Sequence, residues 1–461
     1  GKYSDDLAYH PFFFNGLENP VWIVPLYITG FFYHPPAPIE VQPGLFQLPL
    51  WPAGEYLVRF ADKNEEIIID VIQNTNTQNW RAQEIFIDGM LKISPTAAAS
   101  VVSSIDSWLS GGFSGMLPNK LQPLTNRLLE HGFVEAAIQI LEHIITPVLP
   151  PVVSEYSKYR SDVRFRSEHY WVNEYCEKQI SKLIHLKPRA VVLVFERALE
   201  KTIEFAKMNS ENAELAVGYY WRLDIPSRLS SRSDADVLDI LIDGFRDGLD
   251  EVCKQSKEEG KELLTTYLNC EHLLFQRIAI YILRKYGVEY PELINQVLLH
   301  RDYLENSEYS NEYRGLLRDQ FSTASIEVRE QIISWILSGP QDMDSRTRWG
   351  DSEPTEEDRK RDQENWIMGH LELIRGYLSG NALRRLDELV QVYGKPDITE
   401  HPRFEISSFD IEASPVPVEE LKEKSFDELK LLFLNYVPED SFHSSRESLA
   451  RTFQELVQND L

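Results

Sequence analysis

No apolar run in the 461 residues reaches the roughly 18 that a membrane-spanning helix needs. The Gly-Lys-Ser/Thr end of a phosphate loop is also missing. Without the lysine and hydroxyl that hold nucleotide phosphates, no intrinsic NTPase activity is expected. There is no Cys-x-x-Cys and no His-Glu-x-x-His, the spacings that gather zinc ligands. The three cysteines, Cys176, Cys253 and Cys270, are odd in number and far apart. That pattern argues against a disulfide framework and fits a reducing, cytoplasmic compartment. Cations are scarce: Lys+Arg number 47 against 73 Asp+Glu, a net charge of −26. Duplex phosphates and anionic membranes both require a positive footprint, so both are disfavoured partners. No signal peptide opens the chain. It begins on Gly1, which allows it to be one part of a longer polypeptide.

What is present is helical periodicity. The composition, 43% hydrophobic and 26% charged, belongs to a folded chain. The clearest stretch is 261–337. There Leu273, Leu274, Ile278, Tyr281 and Ile282 recur at spacings of three and four, as do Leu316, Leu317 and Phe321, then Val328, Ile332, Trp335 and Ile336. Each helix is short and cannot bury its apolar face alone. The expected solution is side-by-side stacking, in an all-α, irregular α-solenoid of helix hairpins of HEAT or TPR type, although no exact repeat period is visible.

Four regions follow from composition: 1–52, 53–337, 338–363 and 364–461. The first is rich in aromatics and proline, with Pro20, Pro25, Pro35, Pro36, Pro38, Pro43, Pro49 and Pro52 interrupting regular structure. One short helix near 17–31 is expected, then an irregular chain packed on the first helices. Trp22, Phe31, Phe32, Phe46 and Trp51 are too apolar to wave in water, so they pack internally or form a partner-binding surface. In the second region, Ser94-Pro95 starts a helix expected to run through Leu109 to a Gly111-Gly112 stop, and Gly132 turns one helix into the next. Residues 152–168 read as strand or loop. The third region is a charged linker or exposed loop, with a helix restarting at Thr355-Glu356-Glu357-Asp358. In the fourth, Ser425–Glu428 and Ser444–Glu447 have the form of capping boxes.

Candidate chemistry is thin. Ser110–Gly115 is the one glycine cluster, and it reads as a helix-ending turn. Asp234, Asp236, Asp239, Asp243, Asp247 and Asp250 interleave with apolar residues, which is the pattern of an amphipathic helix with a solvated acidic face. His169 and Cys176 share a helix face, while Cys270 and His272 are splayed; buried structural thiols are the simpler reading. A hydrolase with a site assembled from distant residues, Glu168, His169 or Asp236 among them, is a second hypothesis. Lys158, Arg160, Arg164 and Arg166 with Tyr159 and Phe165 form a basic–aromatic island. It could contact single-stranded nucleic acid, or pair with the chain's own carboxylates.

Several stretches taken together, GFFYHPPAP at 30–38, LPLWPAGEYLVRFA at 48–61, SNEYRGLLRDQF at 310–321, SFDELKLLFLNY at 425–436 and SSRESLARTF at 444–453, resemble helical-repeat regions of large bacterial anti-phage defence proteins. Such regions often sit beside an NTPase or effector domain. The resemblance implies a non-catalytic sensor or scaffold that contacts a protein partner or an adjacent domain. It implies no catalytic residue, cofactor or metal within these 461 residues.

Overall fold

Helix punctuation in the sequence sets most element boundaries. The computed structural model describes residues 10–43, 45–110, 116–149, 163–209, 222, 224–226, 237–341, 355–396, 421, 424 and 426–435. Helices dominate: α1 (His10–Asn15), α2 (Ile23–Ile28), α3 (Pro52–Arg59), α4 (Glu65–Asn74), α5 (Trp80–Met90), α6 (Pro95–Ser100), α7 (Ile105–Leu109), α8 (Leu117–Glu130), α9 (Val134–Ile145), α10 (His169–Leu186) and α11 (Pro188–Asn209). Then come α12 (Val237–Gln255), α13 (Lys257–Leu268), α14 (Leu273–Tyr286), α15 (Pro291–Leu298), α16 (Arg301–Glu305), α17 (Ser310–Gln320), α18 (Ile326–Ser338), α19 (Glu356–Leu373), α20 (Gly380–Tyr393) and α21 (Phe426–Asn435). Two short antiparallel pairs complete the described residues: β1 (Ile39–Gln42) with β2 (Leu45–Gln47), and β3 (Pro147–Val148) with β4 (Arg164–Phe165).

Caps explain the starts. Ser94 accepts from the Ala97 N–H ahead of α6, and Ser325 from the Val328 N–H ahead of α18. Thr355 and Asp358 form a reciprocal capping box on α19. Gly132, at φ +82°, supplies the left-handed turn between α8 and α9 that a side chain would resist. Pro20 begins a 3-10 turn capped by Asn19. Pro25 is tolerated in the first turn of α2, where its missing N–H has no intrahelical partner.

Three expectations need correction. The helix expected over 17–31 is broken into a 3-10 turn and α2, and Gly30 at φ +72° ends it. The helix expected from Ser94 to Leu109 breaks at Val101, where a 3-10 turn over Val102–Ser104 intervenes. The β-branched pair Val101-Val102 and the following serines have low helix propensity. Residues 356–363, inside the region bounded as linker, are the opening turns of α19, which starts at the helix restart expected from Thr355-Glu356-Glu357-Asp358. The Gly111-Gly112 stop and both C-terminal serine caps lie outside the described residues.

Contacts divide the chain into two units, 1–396 and 397–461. In the second, the described helix is α21. In the first, one apolar cluster extends from Phe14 to Leu389. Helices pack on their chain neighbours, α8 on α9, α10 on α11, α12 on α13 and α13 on α14, and also beyond them, α10 on α8 and α12, α11 on α9 and α14 on α17. α11 packs closely on α12. An added Cβ at Gly244 would lie 2.2 Å from the Phe195 ring, and one at Gly248 2.8 Å from Val192. Two missing side chains on one face of α12 therefore let α11 in.

Candidate partner-binding surface

A proline-rich chain has surplus carbonyls, because proline accepts hydrogen bonds but donates none from its backbone. Residues 17–49 find their donors on the helices behind them. Asn79 is fully buried and gives its amide to Pro36 O at 3.0 Å and Pro49 O at 2.8 Å. Its own Oδ1 caps α5 through the Arg81 N–H. Tyr56 donates to Asn19 O at 2.7 Å and Arg59 to Leu17 O at 2.9 Å. Tyr27 donates to the Asp70 carboxylate at 2.9 Å, and Tyr33 reaches the same oxygen. Burial and that carboxylate push the Tyr33 phenol well above its ordinary range, so it stays a donor. The segment is thus held as irregular chain against α3, α4 and α5.

Holding the backbone this way divides the aromatic residues. Phe32 and Trp51 are buried; Trp51 meets Phe86 edge-on at 5.3 Å, and Phe86 in turn stacks on Trp108. These two rings belong to the core and are not available to a partner, which corrects their place in the partner-binding set. Phe31 is half-buried among Phe14 and Phe32. Trp22 and Phe46 are exposed. The structure adds Phe12, at 88% exposure, with Phe13, Val21, Val24, Ile28 and Leu50, also exposed. Every residue of strands β1 and β2 is exposed, including Ile39, Val41 and Leu45. Residues 10–50 contain Glu18 and Glu40 but no Lys, Arg or Asp. In a chain of charge −26, this is a weakly charged stretch.

The basic–aromatic island separates too. Lys158 and Arg160 lie outside the described residues. Arg164 is exposed on β4. Arg166 is turned inward onto the Asp106 carboxylate, which also sits 3.3 Å from His143 Nδ1. The β3–β4 pair, joining residues 147–148 to 164–165, brings Arg166 to α7 and α9. Arg166 is therefore engaged internally. Burial pushes the His143 imidazole below its ordinary pKa, against the pull of Asp106. Its Nε2 is enclosed with no hydrogen-bond partner among the described residues. A base so enclosed cannot reach a substrate, although its pairing with a carboxylate has the look of a catalytic dyad.

Other sequence candidates do not assemble. Glu168 precedes α10 and is exposed; His169 stacks on Phe165; Asp236 lies outside the described residues. Cys176 is buried, and that burial pushes its thiol far up. Burial also pushes Cys253 up, to about 12, where it packs beside Tyr290. Cys270 donates to Tyr267 O at 3.1 Å, in the turn between α13 and α14 rather than on a helix. Thiols so raised are poor nucleophiles. Among the described residues, no three His, Cys, Asp or Glu side chains gather to hold a metal ion, and no helix is long and apolar enough to cross a membrane. A cleft of about 460 Å³ beside Pro188 has two cations on its wall, but Lys187 pairs with Glu135 and Arg189 with Glu262.

The acidic series needs a second correction. Asp234 is outside the described residues, and Asp250 does sit at the surface, paired with Lys285 at 2.7 Å. Asp239 and Asp243 instead turn toward Arg222, at 2.8 and 2.7 Å, and Asp243 is buried. Asp247 pairs with Arg246. One signal in the sequence pointed to this network: Arg277 stands alone within the apolar run of α14, LLFQRIAIYIL. No family model, no curated protein and no solved structure matches the chain.

Proposed function

We propose that this chain is a non-catalytic helical scaffold, an irregular α-solenoid, whose N-terminal face docks a protein partner or an adjacent domain. The observation that carries the reading is the set of exposed apolar side chains Phe12, Phe13, Val21, Trp22, Val24, Ile28 and Leu50 in a stretch with few charges. Exposed apolar surface, where side chains cluster, marks interaction sites, and aromatic enrichment with depleted charge is the composition of an interface core. Its backbone is already pinned by Tyr56, Arg59 and Asn79, so docking need not order it first. The neighbour-on-neighbour packing of helices supports the solenoid reading. Together with the resemblance to defence proteins, it supports reading the chain as the sensor or scaffold part of a larger system.

The test is photo-crosslinking in cells from a benzoylphenylalanine placed at position 22 or 28. A discrete crosslink to one protein, or to a distant segment of the same polypeptide, is expected. Phe12→Ser with Trp22→Ser should abolish it while the melting temperature holds. Indifference of the crosslink to these substitutions would refute the assignment.

A further inference from the structure

Three of the arginines on α14 and α17 meet carboxylates. Arg277 pairs with Glu312, while Arg284 and Arg318 both pair with Asp319. Arg314 on α17 differs. It is half-buried, yet among the described residues no carboxylate or other hydrogen-bond acceptor receives it. Burial pulls its guanidinium below the ordinary pKa, with no neighbouring anion to oppose the effect. A shortage of partners is not the reason, because the chain carries 73 Asp and Glu against 47 Lys and Arg. Enclosing a charge without a counter-charge is costly, so a fold selected for stability alone would not retain it.

What faces Arg314 is a glycine. α17 packs on α19, and a Cβ added at Gly369 inside α19 would lie 3.9 Å from Arg314 Nη2. Among the described residues it would meet nothing else within 4 Å apart from its own helix backbone. The Gly369 backbone is not left-handed either. Neither a clash nor φ therefore demands glycine, at a position where alanine is the better helix former. Gly369 is itself partly exposed, so the missing side chain leaves a notch open to solvent with a guanidinium as its wall. We propose that this notch is a carboxylate-binding site, in which Arg314 takes the acidic group of a ligand seated over Gly369. The planar fork of a guanidinium matches a carboxylate with two parallel hydrogen bonds. One guanidinium also balances one carboxylate charge. A phosphate group would bring about 1.5–2 negative charges to a chain of charge −26, which makes it the poorer fit.

The test is thermal unfolding of the full chain at neutral pH, in sodium acetate and in sodium chloride of equal ionic strength. Acetate is expected to raise the melting temperature above its value in chloride, by binding the folded state. Arg314→Met should lose that gain. An equal gain in wild type and variant overturns the proposal. A larger Arg314-dependent gain in sodium phosphate of the same ionic strength overturns the choice of carboxylate. Should Arg314→Met not fold, Gly369→Asp and Gly369→Asn decide, because the first tethers a carboxylate in the notch and the second its neutral isostere. A carboxylate paired with Arg314 has a depressed folded pKa, so its contribution is present above the unfolded pKa and lost in acid. The Asp variant is therefore expected to gain stability over the Asn variant as pH rises through about 4. The C-terminal end of α19 and the nearby Glu372 act in the opposite direction on an acid placed there. No gain, or a loss, would mean that the notch does not take a carboxylate and overturns the proposal.

Discussion

Arg277 and Glu312 meet as a two-pronged pair, Nε to Oε2 at 2.9 Å and Nη2 to Oε1 at 2.8 Å, with both side chains shielded from solvent. Burial pushes the Glu312 carboxyl up, and the guanidinium limits that rise. Removing one partner leaves an uncompensated buried charge, so Arg277→Met alone should cost about 3–5 kcal/mol. Arg277→Met with Glu312→Leu should recover much of this. Recovery stays incomplete, because Arg222 O and the Ile225 N–H lose partners worth about 1–3 kcal/mol each. Urea unfolding should therefore rank wild type first, the double variant second and the single variant last. A single variant at least as stable as the double would contradict the account.

Asn79 both caps α5 and clamps two proline carbonyls, and two substitutions separate these roles. Asn79→Asp keeps the capping oxygen but sets a carboxylate against Pro36 O and Pro49 O. Asn79→Ala loses the cap, about 1 kcal/mol, and the clamp as well. If the clamp holds the N-terminal segment, Asp should be destabilising despite being a good capping residue. Limited proteolysis should then open the segment first. Wild-type stability in Asn79→Asp would reduce Asn79 to an ordinary cap.

Trp51 and Trp22 should behave oppositely. Trp51 is buried against Phe86 and covers Gly54, where an added Cβ would lie 2.1 Å from the indole. Truncation to alanine should cost roughly 3–5 kcal/mol in thermal or chemical unfolding. Trp22 is half exposed, so Trp22→Ala should leave the melting temperature nearly unchanged and weaken partner association. A large drop in melting temperature from Trp22→Ala would place that ring in the core.

Stability should fall on mild acidification through His143. Burial holds its folded pKa below the ordinary value; Arg166 adds to this, while Asp106 and Glu142 oppose it. The unfolded chain then binds the proton more readily. The contribution is complete above the unfolded pKa of about 6.5 and is lost as pH falls through it toward the folded value. Burial pushes the Asp106 carboxyl up too, but Arg166 and His143 outweigh it and hold it below the usual range. Its contribution is lost only further into acid. The melting temperature should drop between about pH 7.5 and pH 5.5, and His143→Gln should flatten that drop. An unchanged slope in the variant would assign the titration to another group.

Element type and most boundaries were legible from local chemistry. Ser94, Gly132 and Thr355 act within one helical turn, and the apolar stripes of α12, α14 and α17 follow from helical spacing. That is also why the helix restart expected at Thr355-Glu356-Glu357-Asp358 coincides with the start of α19. Breaks such as Val101 were harder to see, because marginal propensity yields to packing.

Tertiary structure decided which side chains meet. Nothing near Trp51 or Trp22 in the chain says that one is buried and the other exposed; the carbonyls clamped by Asn79, at Pro36 and Pro49, settle it. The acidic spacing on α12 suits solvent, yet Asp239 and Asp243 turn inward because Arg222 arrives from outside the helix. Glu312 reaches Ile225 across 87 residues and Arg277 across 35. Helical periodicity describes contacts three and four residues apart. Partners chosen at such separations depend on how whole helices stack, and one sequence window does not contain that information.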